Sequence, residues 1–386
     1  MGNLFACINA NLGRGLQFLV RGVVYQKSSR VERSRRDPLA DDGIEDFRID
    51  LETFKELGIN TLFVYQVDQT NNHDAVMELL EDAGIYVLVC LCTPKVACID
   101  RTAPYDSYNE RLLEHCFSTI DCLAAYPNTL GVLVANELIN GAPSTTVAPI
   151  IRAVTRDVKR YMALAQDASG QRILPVGYSA ADVRMYTRPT FDFLTAGSVD
   201  DSVDFFCIDD FSDTHIPIFF SEYGSNVVRP RLFHETTAIY SPEMTHVLSG
   251  GCVYEFYRHP NNYGIVETSQ LPDGTKKMVK TAEFKTLKKR LQGCMEQPGT
   301  DDAPVKDQAV VTARVFPALS STWRASSEVP PSPVDWKAVH SQLDLRSWVV
   351  LESNMQRGGT VQRSADDFNL RLQVGFDVDL QVGKRR

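Results

Sequence analysis

From residue 18 to about residue 292 the chain alternates short apolar runs with amphipathic stretches. Phe18–Tyr25 reads as a strand. Ile44, Phe47, Leu51, Phe54 and Leu57 then recur at helical spacing, with Gly58 as the stop. Thr61–Tyr65 is a second strand, a helix follows over His73–Ala83, and Tyr86–Leu91 is a third strand. A helix over 106–125 leads to strand four, Leu130–Ala135, and a helix over 146–165 leads to strand five, Ile173–Tyr178. Phe205–Ile208, Ile216–Phe220 and Gly251–Phe256 complete eight strand candidates. Eight strands with helices between most of them, over roughly 250 residues, predict an α/β fold, a closed (β/α)8 TIM barrel. The strands are continuous apolar runs rather than alternating ones, as a parallel sheet covered on both faces requires. A doubly wound open sheet would place a Gly-rich phosphate loop after its first strand, and Gly22-Val23-Val24-Tyr25-Gln26 is not one.

Beyond Cys294 the texture changes. Residues 295–335 are rich in Pro, Ser, Asp and Thr, with Pro330-Pro331-Ser332-Pro333, and read as a disordered linker. Residues 336–386 hold an apolar patch at Leu343–Leu351 and an alternating run at Phe368–Leu380, a small C-terminal segment without an assigned role. The expected layout is a barrel domain over 15–294, the linker over 295–335 and this segment over 336–386. A length of 386 residues, 44% hydrophobic, has room for one large domain and such an appendage. The net charge of −9, with no basic stripe, argues against nucleic acid or an anionic membrane surface as partner. No run approaches the ~18 apolar residues of a membrane helix. The N-terminal apolar residues are interrupted by Asn and Gly, a poor signal-peptide core. Met1-Gly2 lacks a Ser or Thr at position six, where Ala6 stands, and no hydrophobic tail closes the chain. Read alone, the chain is cytosolic or truncated.

Nine cysteines leave at least one unpaired within the chain. Cys90, Cys92 and Cys98 are spaced like a metal cluster, but no His accompanies them at finger-like spacing. Buried small hydrophobes are the favoured reading, and neither a metal nor an organic cofactor is expected.

In a parallel barrel, reactive groups sit where strands end at the C-terminal face. Strand four ends in Asn136-Glu137 and strand seven in Ser221-Glu222-Tyr223-Gly224. Two carboxylates so placed suit a retaining glycosidase, which needs an acid/base and a nucleophile about 5–5.5 Å apart across the sugar. Burial and neighbouring negative charge would raise one pKa so that it keeps its proton. Glu137 is assigned as acid/base and Glu222 as nucleophile, with Asn136 bonding the sugar 2-hydroxyl. Strand-end aromatics, Tyr25, Tyr65, Tyr178 and Tyr254 with Tyr223 and Tyr257, would stack on a saccharide. Gln26 and Asp182 complete the substrate-binding candidates. A Ser-hydrolase elbow, a P-loop and a His-Glu-x-x-His motif are all absent. His73, His234 and His259 read as surface or capping residues.

At these residues the chain resembles fungal glycoside hydrolase family 72, the Gas/Gel/Phr-type 1,3-β-glucanosyltransferases of the cell wall, from about Gly15 to Glu267. The segments that carry the resemblance include Arg21–Gln26, Asp37-Pro38-Leu39-Ala40-Asp41, Leu57–Tyr65, His73-Asp74 and Ala135-Asn136-Glu137. They continue with Pro175–Ser179, Phe220–Gly224, Val228–Arg231, Ser249-Gly250-Gly251 and Asn262-Tyr263-Gly264. The resemblance implies a retaining enzyme that cleaves an internal β-1,3-glucan bond, holds a covalent glycosyl intermediate and passes the chain to another glucan, elongating it. Donor and acceptor would both be β-1,3-glucan. A β-1,3-glucan hydrolase and an inactive glucan-binding wall protein are the alternatives. The resemblance also implies an extracellular place at the cell wall or plasma membrane surface, with membrane contact only through a lipid anchor that this chain does not display. The chain departs from the family in three ways. Glu45 stands where the family has a Cys, so a family disulfide is not expected. Val89-Cys90-Leu91-Cys92 replaces the family's Leu-Asp-Leu, removing an acid near the cleft. The span between strands six and seven is short, and no position matches a cleft Tyr of that stretch.

Overall fold

A computed structural model describes residues 18–28, 35–92, 97–207, 216–270, 276–295 and 315–345. Eight parallel strands close into a barrel. They are β1 (Val20–Val24), β2 (Thr61–Val64), β3 (Tyr86–Cys90), β4 (Thr129–Asn136), β5 (Val176–Ser179), β6 (Phe205–Cys207), β7 (Ile218–Tyr223) and β8 (Gly250–Val253). Each pairs with its neighbours in sequence, and β1 closes the ring by pairing β8 in parallel, Val20 opposite Gly250. All eight expected strands are members of this ring. The apolar runs explain it: a strand wrapped by helices outside and packed inside has no face left for polar residues. At Gly177 on β5 the Phe205 ring of β6 occupies the place of a side chain, 2.2 Å from where a Cβ would stand.

The helices fall between strands, as the period predicts. They include α1 (Ile44–Leu57), α2 (Asp74–Asp82), α3 (Pro104–Ser107), α4 (Glu110–Ala124), α5 (Ala148–Ser169) and α6 (Arg184–Thr195). After β7 come α7 (His234–Ile239) and α8 (Pro242–Thr245), and α9 (Ala282–Met295) follows β8. Helix α1 stops at Gly58, whose φ of 78° is a conformation that a Cβ disfavours. Asn109 caps α4, its Oδ1 accepting the Leu112 N–H at 3.1 Å. An antiparallel ribbon, β9 (Val266–Gln270) and β10 (Lys276–Lys280), separates β8 from α9.

His73 was expected at the surface or in a cap. It is the N-cap residue of α2 but makes no capping bond with its side chain. Instead it is buried, with Nε2 2.8 Å from Asp37 Oδ2 and Nδ1 3.5 Å from Cys122 Sγ. Burial alone would lower its pKa, but the hydrogen bonds to Asp37 and Cys122 outweigh it and raise the pKa to about 10.

The chain divides into two compact units, one holding the barrel through Val334 and the other Leu164–Gln171 together with residues from Asp335 onward. Residues 315–334, which fall in the expected linker, have no regular secondary structure and pack on α5 and α6. Phe316 and Trp323 meet the Phe193 ring of α6 at centroid distances of 5.2 and 5.6 Å. The Arg324 N–H donates to Thr145 Oγ1 at 2.9 Å, and Arg156 donates to the Pro330 carbonyl at 2.8 Å. In the second unit residues 336–345 are helical. The alternating run at 368–380 and the β6–β7 connection at 208–215 lie outside the described residues.

Candidate active site

The C-terminal ends of β4 and β7 bring the two expected carboxylates to one site. Glu137 follows β4 directly, with φ of 53°, a left-handed conformation that costs a residue with a side chain about 1 kcal/mol or more. Its surroundings hold it there. Its N–H donates to the Ser179 carbonyl at 2.9 Å, extending the β4–β5 ladder by one residue. The Ile139 N–H donates to the Tyr178 hydroxyl at 3.2 Å. Ser144 Oγ accepts the Asn140 and Gly141 N–H groups, tying off the rest of the loop.

Glu222 lies on β7, half-buried. Tyr65, just past β2, donates its hydroxyl to Glu222 Oε1, and the Asn136 side chain donates to the same carboxylate. With its amide so used, Asn136 Oδ1 is buried without a partner. An orphaned acceptor in a cleft fits a hydroxyl donor supplied by a ligand. Burial is the largest influence on Glu222 and raises its pKa to about 7, helped by the charges of Glu137 and Glu255 and opposed by the bonds from Tyr65 and Asn136. Glu137 opens to solvent as a whole residue, yet its carboxyl is also raised, by loss of water and then by Asp182, against the pull of Arg101. Two carboxyl groups that repel each other, with hydrogen-bond donors directed at one of them, favour a state with one proton between them. The Tyr65 and Asn136 donors favour the charged form of Glu222, and its burial acts against them.

The other candidates separate. Tyr65 and Asn136 stand at the pair, and Asp182 is exposed within electrostatic reach of Glu137. Tyr254 is half-buried at the end of β8, its hydroxyl accepting from Asn261 at 3.1 Å and its ring edge-on to Tyr263. Tyr25 is not placed to touch a sugar: it is fully buried, donates to Asp50 Oδ2 of α1 at 2.7 Å and packs against Phe54. Tyr257 donates to the same carboxylate. Gln26, next to Tyr25, is buried as well. Tyr178 is also fully buried, and its hydroxyl supports the Glu137 loop instead of a ligand. Tyr223 accepts from Thr236 at the start of α7. Cys90 and Cys92 are buried and Cys98 is exposed, and among the described residues no three His, Cys, Asp or Glu side chains are grouped to hold a metal ion.

Two charged residues near the pair were not among the candidates. Arg101 lies well past the end of β3, and nothing in the strand pattern points to it. Glu255 follows β8 and did carry a signal, the strand-end position itself.

A family model described as glucanosyltransferase, glycoside hydrolase family 72, matches residues 3–212 and 207–294, two segments that overlap at residues 207–212. The Aspergillus fumigatus protein named 1,3-beta-glucanosyltransferase gel1 is 39% identical over 318 residues, covering 75% of this chain and 68% of that protein. Candida albicans 1,3-beta-glucanosyltransferase PGA4 is 36% identical over 340 residues, 83% of this chain and 71% of the relative. Among solved structures, Saccharomyces cerevisiae Gas2p in complex with laminaritetraose and laminaripentaose superposes with a TM-score of 0.70 at 31% identity, over 83% of this chain and 72% of that one.

Proposed function

The chain belongs to the glycoside hydrolase family 72 glucanosyltransferases, and from that premise we propose that it cuts β-1,3-glucan with retention and transfers the cut chain to a second glucan. The observation that carries this reading is the asymmetric carboxyl pair. Both groups are raised, and the Tyr65 and Asn136 donors converge on Glu222.

In the first step Glu222 attacks the anomeric carbon of the donor. The glycosidic C–O bond breaks, and the proton on Glu137 passes to the departing oxygen, leaving a glycosyl ester on Glu222 and a carboxylate at Glu137. In the second step Glu137 takes the proton of an acceptor hydroxyl, whose oxygen attacks the anomeric carbon and releases Glu222. Two inversions give net retention. The free Asn136 Oδ1 accepts a sugar hydroxyl at the reacting ring, a bond that strengthens as the oxocarbenium-like state forms. Asp182 and Tyr254, at the rim, bind the flanking sugars. Transfer between wall glucans assigns the chain to the cell surface. Among the described residues no helix is long and apolar enough to cross a membrane.

The test is product length. Incubated with reduced laminari-oligosaccharides, the full chain is expected to form products longer than the donor. Shorter products alone would indicate hydrolysis, and binding without turnover would indicate a carbohydrate-binding protein. A folded Glu222→Gln variant that still transfers at the wild-type rate would overturn the assignment of the pair.

A further inference from the structure

The Val228–Arg231 segment has no task in the two-carboxylate mechanism, yet it ends in a buried cation. Arg231 is 2% exposed. A buried guanidinium is stable only when its donors are answered, and Arg231 reaches three backbone carbonyls and one carboxylate. Nε donates to Glu283 Oε2, at the start of α9, at 2.9 Å. Nη1 donates to two carbonyls, that of Gly224 at 3.1 Å and that of Tyr254 at 2.8 Å. Nη2 donates to the Tyr263 carbonyl. The Phe233 ring covers the cation, its centroid 4.8 Å from Arg231 Cζ.

These carbonyls belong to the rim of the site. Gly224 is the second residue after the nucleophile Glu222. Its φ is 105°, and a Cβ there would stand 3.2 Å from the Phe233 ring and 3.5 Å from Arg231 Nη1. A glycine lets the chain turn off β7 at this point and give its carbonyl to the guanidinium. Tyr254 follows β8, and its ring stands edge-on to Tyr263 at a centroid distance of 5.0 Å. One side chain therefore binds the end of the nucleophile strand and the backbone of both rings. A second rung lies nearer the surface, where Asn226 Nδ2 donates to the Asn261 carbonyl at 3.0 Å. Strand β7 has its own support in parallel pairing with β6 and β8, so the nucleophile is held by the barrel and the ring pair by the clamp.

We propose that Arg231 is a positioning residue for glucan binding, which fastens the loop over 254–264 to the end of β7 and so fixes the Tyr254–Tyr263 ring pair relative to Glu222. This rests on the reading of Tyr254 as a residue that binds a flanking sugar. Lysine would keep the charge but present its donors from a single atom, which cannot span the same partners.

The experiment compares wild type, Arg231→Lys, Tyr254→Ala and the double variant in transfer between reduced laminari-oligosaccharides, each checked by thermal unfolding. Arg231→Lys is expected to raise KM about 10-fold while kcat changes less than about 3-fold, the pattern of lost binding rather than lost chemistry. In the Tyr254→Ala background the same substitution is expected to change KM less than about 2-fold, because residues acting through one contact are not additive. A fall in kcat at unchanged KM, or additive effects of the two substitutions, would overturn the proposal. Should Arg231→Lys not fold, Asn226→Ala decides by the same comparison. Amide hydrogen exchange reads the clamp without sugar: in Arg231→Lys or Asn226→Ala, exchange is expected to quicken over 254–264 and stay slow over 218–223. An equal rise in both segments, or no rise in either, would count against the clamp. An inactive wild type would defeat the transferase reading and still leave the clamp decided by exchange.

Discussion

A carboxylic acid beside a carboxylate holds its proton to a higher pH than either would alone, and the Glu137–Glu222 pair is built on that effect. With Glu222 raised to about 7, the last proton leaves the pair near neutrality. With Glu137 as the proposed acid, transfer requires the pair to keep one proton, so kcat/KM is expected to fall as pH rises through about 7. A profile still rising beyond pH 8 would contradict the arrangement. Tyr65→Phe removes one of the two donors that hold charge on Glu222. The proton then moves toward the nucleophile, and kcat/KM is expected to drop about 10- to 100-fold, the loss of one hydrogen bond to a charged group, while the alkaline limb shifts upward. Glu137, Glu222 and Asn136 were legible because each closes a continuous apolar run. The same rule misread Tyr25 and Tyr178, since strand-end position does not say whether a ring turns to the mouth of the barrel or back against a helix. For Tyr25 that choice is made by Asp50, on α1, which holds the phenols of both Tyr25 and Tyr257, and for Tyr178 by the Ile139 N–H.

At the scale of elements, the Asp37-Pro38-Leu39-Ala40-Asp41 segment shows what a motif can do away from chemistry. Asp37 accepts the Leu39 and Asp68 N–H groups at 2.9 and 2.8 Å and pairs with His73. Asp41 accepts the Ala75 and Val76 N–H groups at 3.1 and 2.9 Å, serving as the N-terminal cap that α2 lacks in its own sequence. Two acids thus lock the β2–α2 loop that carries Tyr65. His73 is bound in its charged form, with pKa raised from about 6.5 to about 10. A raised pKa contributes stability fully below the unfolded value and loses it as pH rises through the folded one. The unfolding temperature is therefore expected to decline between about pH 6.5 and 10, and His73→Gln to flatten that decline. An equal slope in the variant would show that the pair contributes nothing. The stop at Gly58 and the existence of the eight strands were legible from period and glycine, although strand five begins three residues later and strand eight ends three residues earlier than the apolar runs suggested. The paired burial of His73 was not, because Asp37 and Cys122 reach it from distant parts of the chain.

At the scale of the molecule, residues 315–334 extend the barrel's core past the last helix of the ring. Composition read this stretch as linker, since Pro and Ser dominate and only scattered aromatics mark it. Those aromatics are what dock: Trp323 is 3% exposed and packs on Phe193. Trp323→Ala is expected to lower stability by about 3 kcal/mol, the usual result of emptying a large buried site, as measured by urea unfolding. A change under about 0.5 kcal/mol would mean that the contact is dispensable.

The left-handed backbone at Glu137 sets function against endurance. The residue most comfortable at that φ is glycine, so Glu137→Gly is expected to raise the unfolding temperature while abolishing transfer. A lineage freed from the need to remodel glucan would drift toward glycine or asparagine at this one position. Heat selection on a random library would push the same way, which makes position 137 a marker that separates working descendants of this chain from retired ones.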